Sequence, residues 1–249
     1  MEPVLLRMDS NDKSMTRRAR YTPPASVTTI RLNELLKYTE RPFSETQASL
    51  FRDQPDTDHE IYYSGDLTLL KGKCVCVIGA RSVSEAGRAR ARRVARELSD
   101  AGVVVTSGLA KGVDISAHLG AMGAGGNTIA VIGTPINKAY PIEHAEVQEE
   151  IYSDHLLISQ FRPGQRTFPS DFPKRNKLMA ALTDASVIVE ASDTSGTLHQ
   201  ATECVRLGRW LFIMRSVAEN PDLQWPQKFL KEPKVKVLSD VGDILSAIG

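Results

Sequence analysis

Cys74-Val75-Cys76-Val77-Ile78-Gly79-Ala80-Arg81-Ser82 decides the fold: five apolar residues in a row, then a turn of small residues carrying one cation. A continuous apolar run of this length suits a parallel strand covered on both faces better than an alternating surface strand. The next stretch, 84–101, has a helical pattern, with Ala91, Val94, Ala95, Leu98 and Ala101 on one face. The unit then repeats. Short runs recur at 103–106, 128–132, 156–159, 187–189 and 211–213, and further helical patterns fall at 113–122, 142–153, 176–183 and 198–207. Six strands with interleaved helices predict an α/β fold, an open, doubly wound, mostly parallel sheet with helices on both faces. Beyond Arg215 the pattern breaks at Pro221, Pro226 and Pro233, and a last strand at 235–238 and helix at 241–248 close the domain.

The chain has 249 residues, with 31 basic and 30 acidic side chains and a formal net charge of +1. It therefore has no global attraction for a polyanion, and any basic site must be a local concentration of charge. Residues 1–30 read as a polar tail with Arg17, Arg18 and Arg20, ending in Pro23-Pro24. Residues 31–60 hold a short helix, 32–38, and a polar stretch with Pro42 and Pro55. The expected division is thus 1–60 as tail and short helical segment and 61–249 as one domain. No apolar run approaches the roughly 18 residues that span a bilayer, and the first twenty residues do not read as a signal peptide. Cys74, Cys76 and Cys204 read as buried small apolar residues in a reducing cytoplasm, and no Cys/His cluster completes a metal site.

In such a sheet ligands bind beyond the carboxyl ends of the strands. The turns there are Gly79-Ala80-Arg81-Ser82, Ser107-Gly108-Leu109-Ala110-Lys111-Gly112, Gly133-Thr134-Pro135 and Ala191-Ser192-Asp193-Thr194-Ser195-Gly196-Thr197. Each has Gly or Ser/Thr that lets backbone N–H groups approach an anion. Several on one edge argue for a phosphate-binding rim. Neither a P-loop nor a dinucleotide turn is present, which disfavours nucleotide hydrolases and nicotinamide enzymes of those kinds. From Arg81 to Arg96 there are six arginines and one acid, Glu85. Arg88, Arg92 and Arg96 share a helix face and read first as solvated surface, whereas Arg81 sits in the turn and reads as a ligand. A second cluster, Phe172-Pro173-Lys174-Arg175-Asn176-Lys177, opens a helix. Its cations suit phosphates, while Phe172 either stacks on a base or staples the loop to the core. Asp114 and His118, four apart, read as a capping Asp and a hydrogen-bonded His rather than an acid–base pair. Glu190 and Glu203 are candidate general bases, but no nucleophile stands out. No catalytic residue is assigned.

Taken in order, these segments resemble the DNA-processing protein A family, also called Smf. The resemblance runs from Ile61-Tyr62-Tyr63-Ser64-Gly65-Asp66-Leu67 through the turns after the first two core strands, Ala117-His118, residues 128–134 and Tyr140-Pro141. It continues through residues 172–177, Val189-Glu190-Ala191 and Ser195-Gly196-Thr197 to Gly208-Arg209, covering 61–213. It implies an extended Rossmann-like domain that binds single-stranded DNA without a catalytic step, pairs as a homodimer and helps load the RecA recombinase during DNA uptake. By position, Arg81, Lys111, Lys174 and Arg175 would contact phosphate, with Ser107, Gly108 and Asn176 lining the pocket. Ser82, Gly133, Thr134, Phe172, Lys177, Ser195, Gly196 and Thr197 complete the expected rim. Lys111 and Lys177 stand where the family usually has Arg, which keeps charge but gives up bidentate contact. The core is also similar to a wider superfamily of nucleotide sensors and phosphoribohydrolases. Those enzymes place a Glu where this chain has Gln200, and Gln cannot act as a base.

Overall fold

The computed structural model describes residues 20–41 and 59–249. Arg17, Arg18, Pro42 and Pro55 lie outside the described residues. The strands are β1 (Thr28–Arg31), β2 (Glu60–Gly65), β3 (Cys74–Ile78), β4 (Val104–Ser107), β5 (Thr128–Ile132), β6 (Leu156–Ser159), β7 (Ala185–Ile188), β8 (Trp210–Met214) and β9 (Val235–Leu238). The helices are α1 (Leu32–Tyr38), α2 (Glu85–Asp100), α3 (Val113–Met122), α4 (Ala145–Asp154), α5 (Asp171–Ala181), α6 (Thr197–Arg206), α7 (Arg215–Ala218), α8 (Trp225–Phe229) and α9 (Val241–Ile248). One sheet takes all nine strands in the order β1-β2-β6-β5-β4-β3-β7-β8-β9. The seven strands from β6 to β9 along it are parallel. β1 and β2 are antiparallel additions beyond β6.

The expected doubly wound sheet is present, and the reason is visible in its burial. Every residue of β3, β4, β5, β6 and β7 is buried, as a sheet covered on both faces requires. Some bounds differ from expectation. α5 starts at Asp171 rather than 176, because Pro173 is tolerated in a first helical turn, where its missing N–H has no intrahelical partner to lose. Residues 142–144 form a 3-10 turn ahead of α4.

Residues 20–41, expected as tail and short helix, pack along the sheet. β1 pairs with β2. Ahead of it a strap crosses α4: Tyr21 donates its hydroxyl to the Ile136 carbonyl at 2.7 Å and accepts from Gln148 Nε2 at 2.9 Å. Tyr152 in turn donates to the Thr22 carbonyl at 2.8 Å. Behind α1, Arg41 is only 8% exposed and forms a two-pronged pair with Asp184, Nε to Oδ1 at 2.9 Å and Nη2 to Oδ2 at 2.8 Å. The same guanidinium donates to the carbonyls of Leu70 and Gly72. A buried, fully bonded pair of this kind is costly to break from one side, since the survivor is left charged and unpaired.

β3 has β4 on one side and β7 on the other, and the chain reverses its direction of travel across the sheet between them. That reversal opens a crevice at the carboxyl ends of β3 and β7, the place where open α/β sheets hold ligands.

Inside α3, His118 is fully buried and its Nδ1 lies 2.7 Å from Thr128 Oγ1. Thr128 gives its own proton to the Val105 carbonyl, so the imidazole must carry its proton on Nδ1 and donate. Burial pushes the His118 pKa down from 6.5 to about 3. The unfolded chain therefore takes up a proton near pH 6.5 that the folded chain refuses. The stability from this group is complete above that pH and is lost as pH falls toward 3, by roughly 2–3 kcal/mol at about pH 4.5. Urea unfolding of His118→Gln at pH 7 and pH 4.5 will show a lower starting stability but a smaller loss on acidification than the unaltered chain.

Candidate functional site

Three turns interlock at the crevice. Ala80, after β3, donates its N–H to the Glu190 carbonyl after β7 at 2.7 Å, and its carbonyl accepts from Val113 N–H at the start of α3 at 3.3 Å. The backbones approach so closely that a side chain would not fit. A Cβ on Gly112 (φ +84°) would collide with the carbonyls of Ala80 and Arg81, and one on Gly79 would strike Val113. These glycines are demanded by close approach, and Gly112 by its positive φ as well. The Glu190 carboxylate accepts from Ser84 N–H at 2.9 Å, Ser84 Oγ at 2.7 Å and Arg90 Nη2 at 3.3 Å. It thus fastens the entry of α2, capped by Ser84 on Gly87 N–H, to the end of β7.

The crevice is a cleft of about 850 Å³, lined among others by Arg81, Ser82, Asn176, Ser195, Gly196 and Thr197. Beside it lies a recess of about 60 Å³ lined by Arg81, Gly108, Lys111, Gly133, Phe172 and Arg175 together with Tyr140. Arg81, Phe172 and Arg175 border both. The cations drawn from three separate segments therefore meet in one place. The Arg81 guanidinium sits 5.2 Å from the centre of the Phe172 ring. The Tyr140 ring, 49% exposed, lies 5.7 Å beyond Phe172. This row of cation, ring and ring offers stacking faces next to positive charge. Phe172 is half-buried and leans on Gly133, where an added Cβ would come within 2.6 Å of its ring.

The two arginines differ in kind. Arg81 is exposed and has no ion-pair partner among the described residues. Arg175 is 5% exposed; its Nη1 donates to the carbonyls of Gly108 at 2.6 Å and Val131 at 2.8 Å, and its Nε to Asn176 Oδ1 at 2.9 Å. Burial lowers its pKa and the charge of Asp114 opposes that; burial likewise raises the Asp114 carboxyl, opposed first by Arg175. Asp114 lies in the first turn of α3, whose N-cap is Gly112 rather than an Asp. Arg175 thus braces the turn after β4. In that turn the buried Leu109 adopts a left-handed backbone, φ +58°, with His144 Nδ1 donating to its carbonyl at 2.9 Å. A non-glycine residue held there costs about 1–3 kcal/mol, which the surrounding bonds must offset.

Other expected rim residues sit elsewhere. Ser107 is fully buried and spends its hydroxyl on the Val77 carbonyl, and Thr134, 2% exposed, spends its own on the Lys138 carbonyl. Neither borders the cleft or the recess. Lys174 is exposed, with Nζ 3.5 Å from Asp171, and Lys177 is half-buried; both stand outside the two hollows. Lys111 forms an exposed pair with Glu143 at 2.8 Å, which a stronger anion can displace at little cost. Arg90, which borders the cleft, and Tyr140, which borders the recess, were not anticipated. Arg90 stands two residues off the Arg88, Arg92, Arg96 stripe and turns inward to Glu190. Tyr140 had a signal, an aromatic residue between a Gly turn and a helix, that drew no role.

Fold and site together define a Rossmann-like domain whose switch-point cleft and recess gather cations and aromatic rings. The family model of DNA recombination-mediator protein A matches residues 35–249, and the chain belongs to that family. DNA processing protein DprA of Streptococcus pneumoniae is 38% identical over 154 residues, 62% of this chain and 54% of that protein. Its Bacillus subtilis counterpart is 28% identical over 173 residues, 69% of this chain and 58% of that one. The chain spans a little over half the length of these relatives. The solved S. pneumoniae DprA matches with a TM-score of 0.69 at 34% identity, over 75% of this chain and 65% of that one. A Helicobacter pylori DprA structure, described for its unique single-stranded DNA binding mode, matches with a TM-score of 0.71 at 23% identity, over 89% and 94%; that likeness speaks to the fold.

Removing the Arg175 side chain takes a buried donor from the Gly108 and Val131 carbonyls and the first counter-charge from Asp114. Arg175→Ala will lower stability by about 2–4 kcal/mol in urea unfolding. Arg175→Lys will recover only part of this, because one ammonium cannot reproduce the fork.

Proposed function

We propose that this chain holds single-stranded DNA in the cleft and recess without a chemical step, and serves DNA uptake and recombination. One observation carries the reading: Arg81, Lys111 and Arg175, distant in sequence, border a single recess beside the rings of Phe172 and Tyr140. Cations next to stacking faces suit a chain of phosphates and bases read with little sequence preference. Membership of the DNA recombination-mediator family and the single-stranded DNA binding attributed to the H. pylori relative support it.

In this reading Arg81 and Lys111 meet phosphates directly, and Lys174 and Lys177 add charge along the approach. Arg175 supplies fixed charge from below; its Nη2 has no protein partner among the described residues and is the donor left for the ligand. Gly108, Gly133 and the backbone around Ser195, Gly196 and Thr197 let the strand come close. Ser82 and Asn176 line the wall, Phe172 and Tyr140 stack bases, and Ser107 and Thr134 shape the turns from behind. Residues 61–249 form the binding unit, with 20–41 strapped to it. A homodimer in the cytoplasm and RecA as partner belong to the same proposal and rest on the family resemblance. The hydrolase reading gains no support, since position 200 holds Gln and Glu190 is engaged by Ser84 and Arg90.

The test is fluorescence anisotropy with labelled single-stranded oligonucleotides at several salt concentrations, competed by mononucleotides. Arg81→Ala with Lys111→Ala will weaken all sequences alike. The log–log salt slope will become shallower by about 1.4, at about 0.7 for each phosphate left without its cation. Unchanged affinity and slope, or full competition by a mononucleotide, would overturn the assignment.

A further inference from the structure

The loop between β6 and α5 carries a second cation–ring pair that none of the assigned rim residues uses. Arg166 sits 5.5 Å above the centre of the Phe168 ring. Phe168 is 46% exposed. A single exposed Phe is ordinary on a protein surface, so exposure by itself says little. Three further observations separate this one from that background.

The loop is held in shape. Phe168 N–H donates to Asp171 Oδ2 at 2.8 Å while Asp171 N–H donates to the Phe168 carbonyl at 3.0 Å, and Asp171 is 2% exposed. Gly164 N–H donates to Asn137 Oδ1 at 3.2 Å, tying the loop to the segment that bears Tyr140. The buried Phe161 and the bond from its N–H to Ser159 Oγ at 3.1 Å anchor the loop's beginning. The ring is therefore presented by a braced turn, with little ordering cost on binding.

The loop is also one-signed. Residues 155–170 contain Arg162 and Arg166 and no acid, and no carboxylate pairs with Arg166 among the described residues. Finally, Phe168 precedes Phe172 by only four residues, and its carbonyl accepts from Asp171, the first residue of α5, the helix that carries Phe172, so a second ring–cation pair stands next in the chain to that of Arg81 and Phe172.

We propose that Arg166 and Phe168 form a second nucleotide subsite, where a base of the same strand stacks on Phe168 and its phosphate meets Arg166. The inference rests on the single-stranded DNA reading of the cleft. It assigns to the loop the strand that emerges past Phe172, so that the length of oligonucleotide gripped is set by the loop as well as the recess.

The experiment measures anisotropy of the full chain with oligothymidylates from about 4 to about 16 nucleotides long. Phe168→Ala will bind the long oligonucleotides about ten-fold more weakly, the scale of one base stack removed. It will bind the shortest that still binds unchanged, and its salt slope will stay as in the unaltered chain. Arg166→Ala will also weaken only the long ones, with a shallower slope. Phe168→Trp will restore affinity, and its indole fluorescence will quench with long but not short strands. Equal affinity of Phe168→Ala and the unaltered chain at every length overturns the subsite and leaves the cleft reading standing. So does an equal loss at all lengths, which would mark Phe168 as part of the first site. Failure of the unaltered chain to bind any of the series overturns both.

Discussion

Ala80 gives its N–H to Glu190 and takes a hydrogen bond from Val113, and with that the ends of β3 and β7 and the head of α3 become one rigid plate. The other features of the site follow from this contact. It forbids a side chain at Gly79 and Gly112 and sets the mouth of α3 against the turn of Arg81. Because these are backbone bonds, the plate does not depend on the charge state of any side chain. The charged groups are added to a frame that already exists.

That frame divides the cations into two classes. Arg175 is buried, bonded to carbonyls and set against Asp114, so it is fixed in place and moving it would cost the fold. Arg81, Lys111 and Lys174 are solvent-exposed and screened by salt, and the pairs of Lys111 with Glu143 and Lys174 with Asp171 are open to exchange. A polyanion met by both kinds experiences a fixed potential from beneath and adaptable contacts from the rim. Such a combination suits the polyanion proposed for this site.

The core strands were legible because burial on both faces writes an unbroken apolar run, as in Cys74–Ile78 and Thr128–Ile132. β1 and β2 were not. They are partly exposed and antiparallel, and Ile61-Tyr62-Tyr63-Ser64 carries no run that separates it from a loop. The turns of the site could be read from their glycines, yet not which side chains each turn would show to solvent. Lys174 and Arg175 look equivalent as letters. The helix phase distinguishes them: Arg175 stands three and four residues before Leu178 and Met179, both buried, and so shares the inward face. Ser107 and Thr134 carry the right chemistry for an anion, but each meets a backbone carbonyl first, a competition that only three-dimensional proximity reveals.

The antiparallel margin of the sheet has a bearing on how the chain comes together. Tyr62 of β2 lies opposite Ser159 of β6, about a hundred residues downstream, whereas β3 and β4 are joined through a single helix. Closing the longer span costs chain entropy before any ladder bond is gained. During synthesis the strand made early must wait for a partner made late, with Ile61 and its tyrosines uncovered in the meantime. Since β3 also takes its second neighbour, β7, from about 110 residues downstream, the early strands at both the margin and the centre of this sheet wait for partners made much later in the chain.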